Sequence, residues 1–501
     1  MNSVRCTLSK LSAGGLTLEA EEGRLRYASQ RRPITGDEIR WISHNREEIL
    51  LYLRAERAAR YFPIEKTSAP LAPSITQEMW WRWIDKTVSL VLPIIGVFTD
   101  TQYSAVESAL RTVMDRNDVL RSSFSISDGE LRLTLNDCGA FEVENELLPS
   151  ANDQASSMCV ASSINEFIAR PILHTHKWLA SAKIISLSNT HHIAVLVANH
   201  IIIDGHSVRL LRSQLSNLAR GQSLPTSGGE LCYADYVVWQ RKWQQESQHQ
   251  LANYWSCWTR RKPQLFSPSG QRLVWRKGTK ERYRFNIPRS AHYAVVQWAR
   301  KLKTSVFLIY LTLFAKGIAE WAGQNRLAVR SIADGRVLPG MASIVGLLNG
   351  ADALEICFRE GADFDDHVNG VTEEYYSSAK LRTSSIYSFP PHMDHRSMEG
   401  GDWTENVEVV INYQVANNPL STSMLKEMEW PPKVECVESI AWPHHVSPVC
   451  LEITNRGEDA TCAFLLHAES LKPKERTSLM ASFFAQISKY CDFNLAGREQ
   501  L

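Results

Sequence analysis

The stretch from His191 to Ser207, read His-His-Ile-Ala-Val-Leu-Val-Ala-Asn-His-Ile-Ile-Ile-Asp-Gly-His-Ser, constrains the fold more than any other part of the chain. Its apolar run is too short for an ordinary helix and predicts a buried strand over 192–199. The strand sets down His200 at its end. Three isoleucines then turn the chain to Asp204-Gly205, and a helix is expected to open at Ser207, a residue type that caps helix N-termini well. Loops at strand ends expose a side chain while their apolar neighbours anchor it. Imidazole is the group best suited to proton traffic near neutral pH, which makes His200 the candidate catalytic residue. Asp204 is placed to turn inward and fix the loop through an ion pair instead of meeting a substrate. On its own, a histidine near an aspartate is more often a structural pair than a reactive one.

The rest of the chain predicts a mixed α/β protein. At 501 residues it exceeds one ordinary core, and two or three folded units are expected. Residues 1–60 read as a small unit of their own: a helix over Val4–Leu11 stopped at Gly14-Gly15, then a β-hairpin from two alternating runs around Glu22-Gly23. Thr35, with Glu38 three residues on, predicts a capped helix start, and Ile49, Leu50 and Leu53 stripe a last helix to about Arg60. Residues 61–73 carry Pro63, Pro70 and Pro73 and read as a linker. Beyond it, helices such as 104–116 and 207–219 alternate with strands such as 406–414 and 461–466, with loops or crossovers near 263–280 and 388–403.

Several further motifs stand in order around the His200 segment. They are Ser74-Ile-Thr-Gln77-Glu-Met-Trp-Trp81, Arg116-Asn-Asp-Val-Leu-Arg121-Ser-Ser-Phe124, Tyr233-Ala-Asp-Tyr-Val-Val-Trp239 and Asn412-Tyr-Gln414. Together with Asn199-His200-Ile-Ile-Ile-Asp204-Gly205 they resemble the SxAQxRLW, RHExLRTxF, YxDYAVW, NxQ and HHxxxDG motifs of nonribosomal peptide synthetase condensation domains. The HxxxD core is shared with the wider superfamily of chloramphenicol-acetyltransferase-like acyltransferases. The resemblance covers about residues 66–498.

That resemblance implies an α/β (α+β) fold with two acetyltransferase-like lobes, residues 74–262 and 263–501, forming a V-shaped pseudodimer around a tunnel. His200 matches the second, catalytic histidine of the motif, and Asp204 the structural aspartate, for which Arg336 in Ala333-Asp-Gly-Arg336 best fits the arginine partner. Gly205 matches the glycine that lets a 4′-phosphopantetheine arm pass close to the backbone, and Ser207 the serine that opens the following helix. The implied reaction is attack of an amine or hydroxyl on a carrier-bound thioester, giving amide or ester. No cofactor is bound permanently, the pantetheine arm being supplied by an acyl or peptidyl carrier protein. Three departures stand out. Asn199 replaces the first histidine and Met79 the usual arginine, while Val345-Gly-Leu-Leu-Asn-Gly-Ala351 is degenerate against IGxFVNT and puts an ordinary aminoacyl acceptor in doubt.

The helix–hairpin–helix–helix order of residues 1–60 resembles the β-hairpin docking domains of some synthetase subunits, as in tubulysin biosynthesis. Arg24, Arg26, Arg31 and Arg32 crowd the second strand and its exit with no acid between them. Such a strip suits the acidic C-terminal tail of a carrier protein added as an extra strand. The chain stops at Leu501 with no phosphate loop, adenylation signature or GxSxG elbow. Carriers acting in trans and a free small-molecule acceptor are therefore expected.

Composition narrows the other classes. The formal charge of +1 gives no global field toward nucleic acid or an acidic membrane, so neither is an expected partner. The N-terminus has no long apolar segment and no apolar run could span a bilayer, which predicts a cytoplasmic protein. Ten cysteines include no CxxC pair, and no metal site is predicted. An acyl-CoA-dependent acyltransferase and a catalytically silent recruitment platform are the competing readings. Heterocyclising relatives are set aside because they carry an aspartate-rich motif where His200 stands, and epimerising ones for want of their glutamate-glycine-histidine motif.

Overall fold

The computed structural model describes residues 16–21, 24–29, 35–46, 49–50, 64, 72–83, 89–148, 154–224, 231–247, 263–336, 338, 340–378, 407–415 and 438–491. By compactness the chain divides into two units, Met1–Ser247 with Asp334–Asn349, and Gln248–Ala333 with Gly350–Leu501.

At the front, strands β1 (Leu16–Glu21) and β2 (Arg24–Ser29) form the expected antiparallel hairpin, in register from Leu16 opposite Ser29 to Glu21 opposite Arg24. Helix α1 (Gly36–His44) starts at Thr35 through the anticipated reciprocal cap. The Glu38 N–H donates to Thr35 Oγ1 at 3.2 Å and the Thr35 N–H donates back to Glu38 Oε2 at 2.9 Å. The helix expected over Val4–Leu11, the last helix beyond Leu50, nearly all of the 61–73 linker and the 388–403 loop lie outside the described residues.

The rest of the first unit contains α2 (Ile75–Trp83), β3 (Val91–Phe98), α3 (Tyr103–Arg116), β4 (Ser122–Ser127), β5 (Glu130–Leu135), β6 (Val143–Leu147), α4 (Gln154–Ala169), β7 (Ala180–Ser186), β8 (His192–Asn199), α5 (Gly205–Ala219) and α6 (Tyr233–Glu246). Strands β3, β8, β7 and β6 form one sheet in that order, parallel only between β6 and β7. Strand β8 is internal, and all eight of its residues are buried, which is what an unbroken apolar run dictates. On one face Ile193, Val195 and Val197 meet Val160 and Phe167 of α4. Toward the other, β3 runs beside α5, where Gly96 leaves room for the Phe98 ring, from which a Cβ would stand 2.8 Å.

The second unit contains β9 (Arg276–Ile287), α7 (Arg289–Lys301), α8 (Val306–Ala322), β10 (Arg326–Ala333), β11 (Gly350–Cys357), α9 (Phe364–Ser378), β12 (Val409–Val415), β13 (Glu438–Val446), β14 (Val449–Asn455), β15 (Ala460–His467) and α10 (Pro473–Tyr490). Among the described residues its strands form one sheet ordered β11-β10-β12-β14-β15-β9-β13. Helix α8 is apolar over most of its surface, Lys316 and Glu320 excepted, and is enclosed in the core with Phe464, Phe483 and Phe484. A Cβ on its Gly317 would stand 2.9 Å from Cα of Phe483, so glycine permits the close approach of α8 to α10. Among the described residues no single helix is long and apolar enough to cross a membrane.

Three expectations are corrected. The 263–280 break is shorter than read, because β9 begins at Arg276 and pairs with β15 and β13. The stretch 263–501 is not one continuous lobe, since Asp334–Asn349 packs with the first unit through the contacts of Arg336 described below. Helix α5 does not open at Ser207; its N-cap is Asp204, whose carboxylate accepts from the Ser207 N–H. Asp204 has extended backbone, φ −117° and ψ 177°, and an anionic oxygen is a stronger cap than a hydroxyl two residues inside the helix.

Candidate active site

The loop between β8 and α5 is pinned by hydrogen bonds and by apolar anchors. Asn199, 3% exposed, closes the strand: its Nδ2 donates to the Ile172 carbonyl at 2.6 Å and its Oδ1 accepts the Ile201 N–H at 2.9 Å. An amide both donates and accepts, so asparagine ties two backbone segments at the first motif position. Ile201, Ile202 and Ile203 are each at most 2% exposed and anchor the turn in the core.

Asp204 is the structural centre. Its side chain and that of Arg336 are each 1% exposed, and Arg336 Nη1 lies 2.7 Å from Asp204 Oδ2. Arg336 Nη2 donates to Asp204 Oδ1 at 3.1 Å, so the pair is bidentate. The same carboxylate accepts the N–H groups of Ser207 at 2.8 Å, Leu348 at 3.0 Å and Asn349 at 3.1 Å. The Ser207 hydroxyl lies 2.8 Å from both Asp204 Oδ1 and the Gly346 carbonyl, and accepts the Gly346 N–H at 2.9 Å. Burial opposes the charge on Arg336, but Asp204 and Asp334 outweigh it and raise its pKa. Burial likewise works to raise Asp334, yet His206 and Arg336 hold it down to about 2.

Of the other sequence motifs, Ser74–Trp81 reaches this loop directly and Tyr233–Trp239 reaches it through Ser74. Ser74 and Gln77 cap each other at the start of α2, and Gln77 Nε2 donates to the Ile201 carbonyl at 2.9 Å. The Tyr233 hydroxyl lies 2.9 Å from Ser74 Oγ and 3.3 Å from the Leu347 carbonyl. Gln240 Oε1 accepts the Ile75 N–H at 3.1 Å, fastening α6 to α2. A Cβ on Gly346 would stand 2.0 Å from Tyr233 Cδ2, and one on Gly335, at φ +74°, would stand 1.7 Å from the Leu348 oxygen. The degenerate 345–351 segment thus makes its contacts to the loop mainly through backbone, which side-chain departures leave intact. Asn117 Nδ2 reaches Gln214 of α5 at 2.9 Å, whereas Asn412-Tyr-Gln414 lies in β12 of the second unit, where Tyr413 accepts from Asn455.

His200 is built differently. Its N–H donates to the Leu90 carbonyl at 2.7 Å, and its Nδ1 lies 2.7 Å from the Ile203 carbonyl. A carbonyl only accepts, so Nδ1 carries the proton and the neutral ring keeps its lone pair on Nε2. The residue is partly exposed and Nε2 has no hydrogen-bond partner among the described residues. Burial pushes the imidazole pKa down, against smaller upward effects from the Ile203 carbonyl and Asp204. A neutral ring with an unpartnered basic nitrogen can accept a proton from an amine or alcohol.

Gly205 opens α5 with an ordinary φ, and a Cβ there would meet nothing within 4 Å. Neither backbone strain nor internal packing calls for glycine at this position. The sequence pattern did not single out two neighbours of the loop. Trp80 of α2 lies with its ring centroid 4.8 Å from that of His200. His206 holds Asp334 Oδ2 and the Ala342 carbonyl, each at 3.0 Å. Trp80 occupies the place of leucine in the SxAQxRLW pattern, a signal that was legible but ambiguous. Of the docking arginines, Arg24 stands opposite Glu21 and Arg26 opposite Glu19 in the hairpin register, so acids lie across the ladder from both; Arg31 and Arg32 lie outside the described residues. No group of three or more metal-ligating side chains is assembled among the described residues.

The chain as a whole is similar to proteins of known family. Residues 94–442 match the Condensation domain family, and residues 4–55 match the TubC N-terminal docking domain. The chain is 23% identical over 464 residues to surfactin synthase subunit 2 of Bacillus subtilis, covering 88% of this chain and 12% of that protein. It is 25% identical over 269 residues to a phosphinothricin tripeptide synthetase of Streptomyces viridochromogenes, covering 52% of this chain and 25% of that one. The chain therefore spans a quarter or less of these curated relatives. Among solved structures, a condensation domain described as mediating chain release from the enacyloxin polyketide synthase superposes with a TM-score of 0.79 at 28% identity, covering 99% of this chain and 98% of the other. The cyclization–docking bidomain of a synthetase from Sorangium cellulosum superposes at 0.60 and 16% identity, covering 98% of this chain and 99% of the other, which shows the shared fold.

Proposed function

Because the chain belongs to the condensation-domain family, with the matched region covering well over half of it, we propose that it transfers an acyl, polyketidyl or peptidyl group from a carrier-protein thioester to an amine or hydroxyl. The observation that carries this reading is the hydrogen bond from His200 Nδ1 to the Ile203 carbonyl, which leaves Nε2 free and basic at the end of a rigid strand.

The thioester is already activated, so the protein's main task is to bring two reactants together. The nucleophile attacks the thioester carbonyl, a carbon–nitrogen or carbon–oxygen bond forms and the carbon–sulfur bond breaks. His200 Nε2 takes the nucleophile's proton and returns it to the departing thiolate. For an alcohol this assistance is essential, because a neutral hydroxyl attacks poorly. Asp204 takes no part in the proton transfer; it holds the loop. The open space above Gly205 supports passage of the carrier's pantetheine arm past the start of α5. The acceptor is read as a free small molecule, in keeping with the chain release ascribed to the enacyloxin relative.

His200→Ala is expected to lower product formation by ~10²–10⁴, the usual share of a general base. Mass spectrometry of an acylated carrier incubated with a panel of amines and alcohols measures it, and near-full turnover would remove His200 from the chemistry. The same assay with the acyl group on coenzyme A separates the carrier reading from a CoA-dependent one. The match to a docking domain supports delivery of the carrier by residues 4–55. Deleting residues 1–58 is then expected to raise the KM for the carrier thioester by roughly tenfold, about 1.4 kcal/mol, with turnover of a short soluble thioester unchanged. Equal KM for the carrier with and without the segment would refute docking.

A further inference from the structure

We infer that Trp80 is a positioning residue for the reaction, forming a wall that sets the orientation of the His200 ring. The inference rests on the proposed role of His200. Helix α2 touches the reactive loop twice, one turn apart. Gln77 is fully buried and holds the Ile201 carbonyl at 2.9 Å, while Trp80 lays its indole 4.8 Å from the imidazole at 57°. The first contact fixes the backbone that follows His200. The second bears on the ring itself.

The ring needs such a support. Its only hydrogen bond among the described residues is from Nδ1 to Ile203, and one hydrogen bond leaves rotation about the ring's own axis weakly defined. A tilted indole with its centroid 4.8 Å away restricts that freedom and covers one side of the imidazole. Leucine, which stands at this place in the motif, has no flat face to offer. The wall also bears on the ring's charge state. From the loop, Asp204 acts on His200, but its charge is matched by Arg336. From α2 come Gln77 and Trp80, which do not titrate, and Glu78, which is held by Arg241 at 2.6 Å. The approach to β3 contributes the Leu90 carbonyl.

The test is a pair of variants, Trp80→Phe and Trp80→Leu, with kcat, KM and the acid limb of the kcat/KM profile measured for each beside the unmodified protein. Trp80 is only partly buried, so both variants are expected to fold. Trp80→Leu should lower kcat by roughly 10²-fold, as for a catalytic group displaced by about an ångström, with KM within about twofold. Its acid limb should move to higher pH, because water then reaches the imidazole and the depressing effect of burial weakens. Trp80→Phe should restore most of kcat and return the limb. A Trp80→Leu protein with unchanged kcat and an unmoved acid limb would overturn the inference. If His200→Ala abolishes turnover while Trp80→Leu is normal, the positioning role fails and the proposed chemistry stands. If His200→Ala is active, the chemistry itself fails.

Discussion

His200 and Asp204 stand four residues apart on one loop and are treated in opposite ways. Asp204 is 1% exposed and its two oxygens face Arg336, Ser207, Leu348 and Asn349, so no lone pair is left over. His200 is partly exposed, makes one side-chain hydrogen bond and leaves a nitrogen open. A buried carboxylate that is fully satisfied is a piece of architecture. A histidine held on one nitrogen and free on the other is a tool for moving protons. On the proposed function, the HxxxD spacing joins a support, Asp204, to an instrument, His200, which the support holds still.

The contrast can be broken first at Asp204. Asp204→Ala takes from a buried guanidinium its bidentate carboxylate, leaving it only the half-exposed Asp334 as a charged partner, and removes the acceptor for three backbone N–H groups; it should cost about 3–5 kcal/mol in denaturant unfolding. A loss below about 1 kcal/mol would show that the network is ornamental. The two glycines near the loop sharpen the comparison at smaller scale. Gly346→Ala drives a Cβ into the Tyr233 ring and should cost about 1–3 kcal/mol, whereas Gly205→Ala meets open space and should change stability by less than about 0.5 kcal/mol. Gly205→Leu should still fold yet slow carrier-dependent turnover by tenfold or more, about 1.4 kcal/mol on the barrier. Equal unfolding midpoints for the two alanine variants would remove the distinction, and normal turnover by Gly205→Leu would remove the arm from this face.

Much of this was legible in the sequence because it is local. The apolar run over 192–199 could be read as a strand, and Thr35 with Glu38 as a cap, since each depends on residues a few positions apart. The helix start was misread for a physical reason. Serine is a good cap in general, but a carboxylate already turned inward by Arg336, 132 residues away, outcompetes it. The partner itself was legible only through family resemblance. Nothing in the spacing of Asp334-Gly-Arg336 says that this segment leaves its own sheet to pack with the first unit. Trp80 was hidden among fifteen tryptophans, most of them indistinguishable from core residues until the ring contact with His200 was seen.

The division of labour within the loop is tested most directly by measuring product formation and unfolding free energy together on His200→Ala and Asp204→Ala. The expected result is a crossed pattern. His200→Ala should lose ~10²–10⁴ in turnover with its stability nearly unchanged, and Asp204→Ala should lose about 3–5 kcal/mol of stability. A His200→Ala protein that turns over its thioester at the normal rate, or that unfolds as readily as Asp204→Ala, would contradict it.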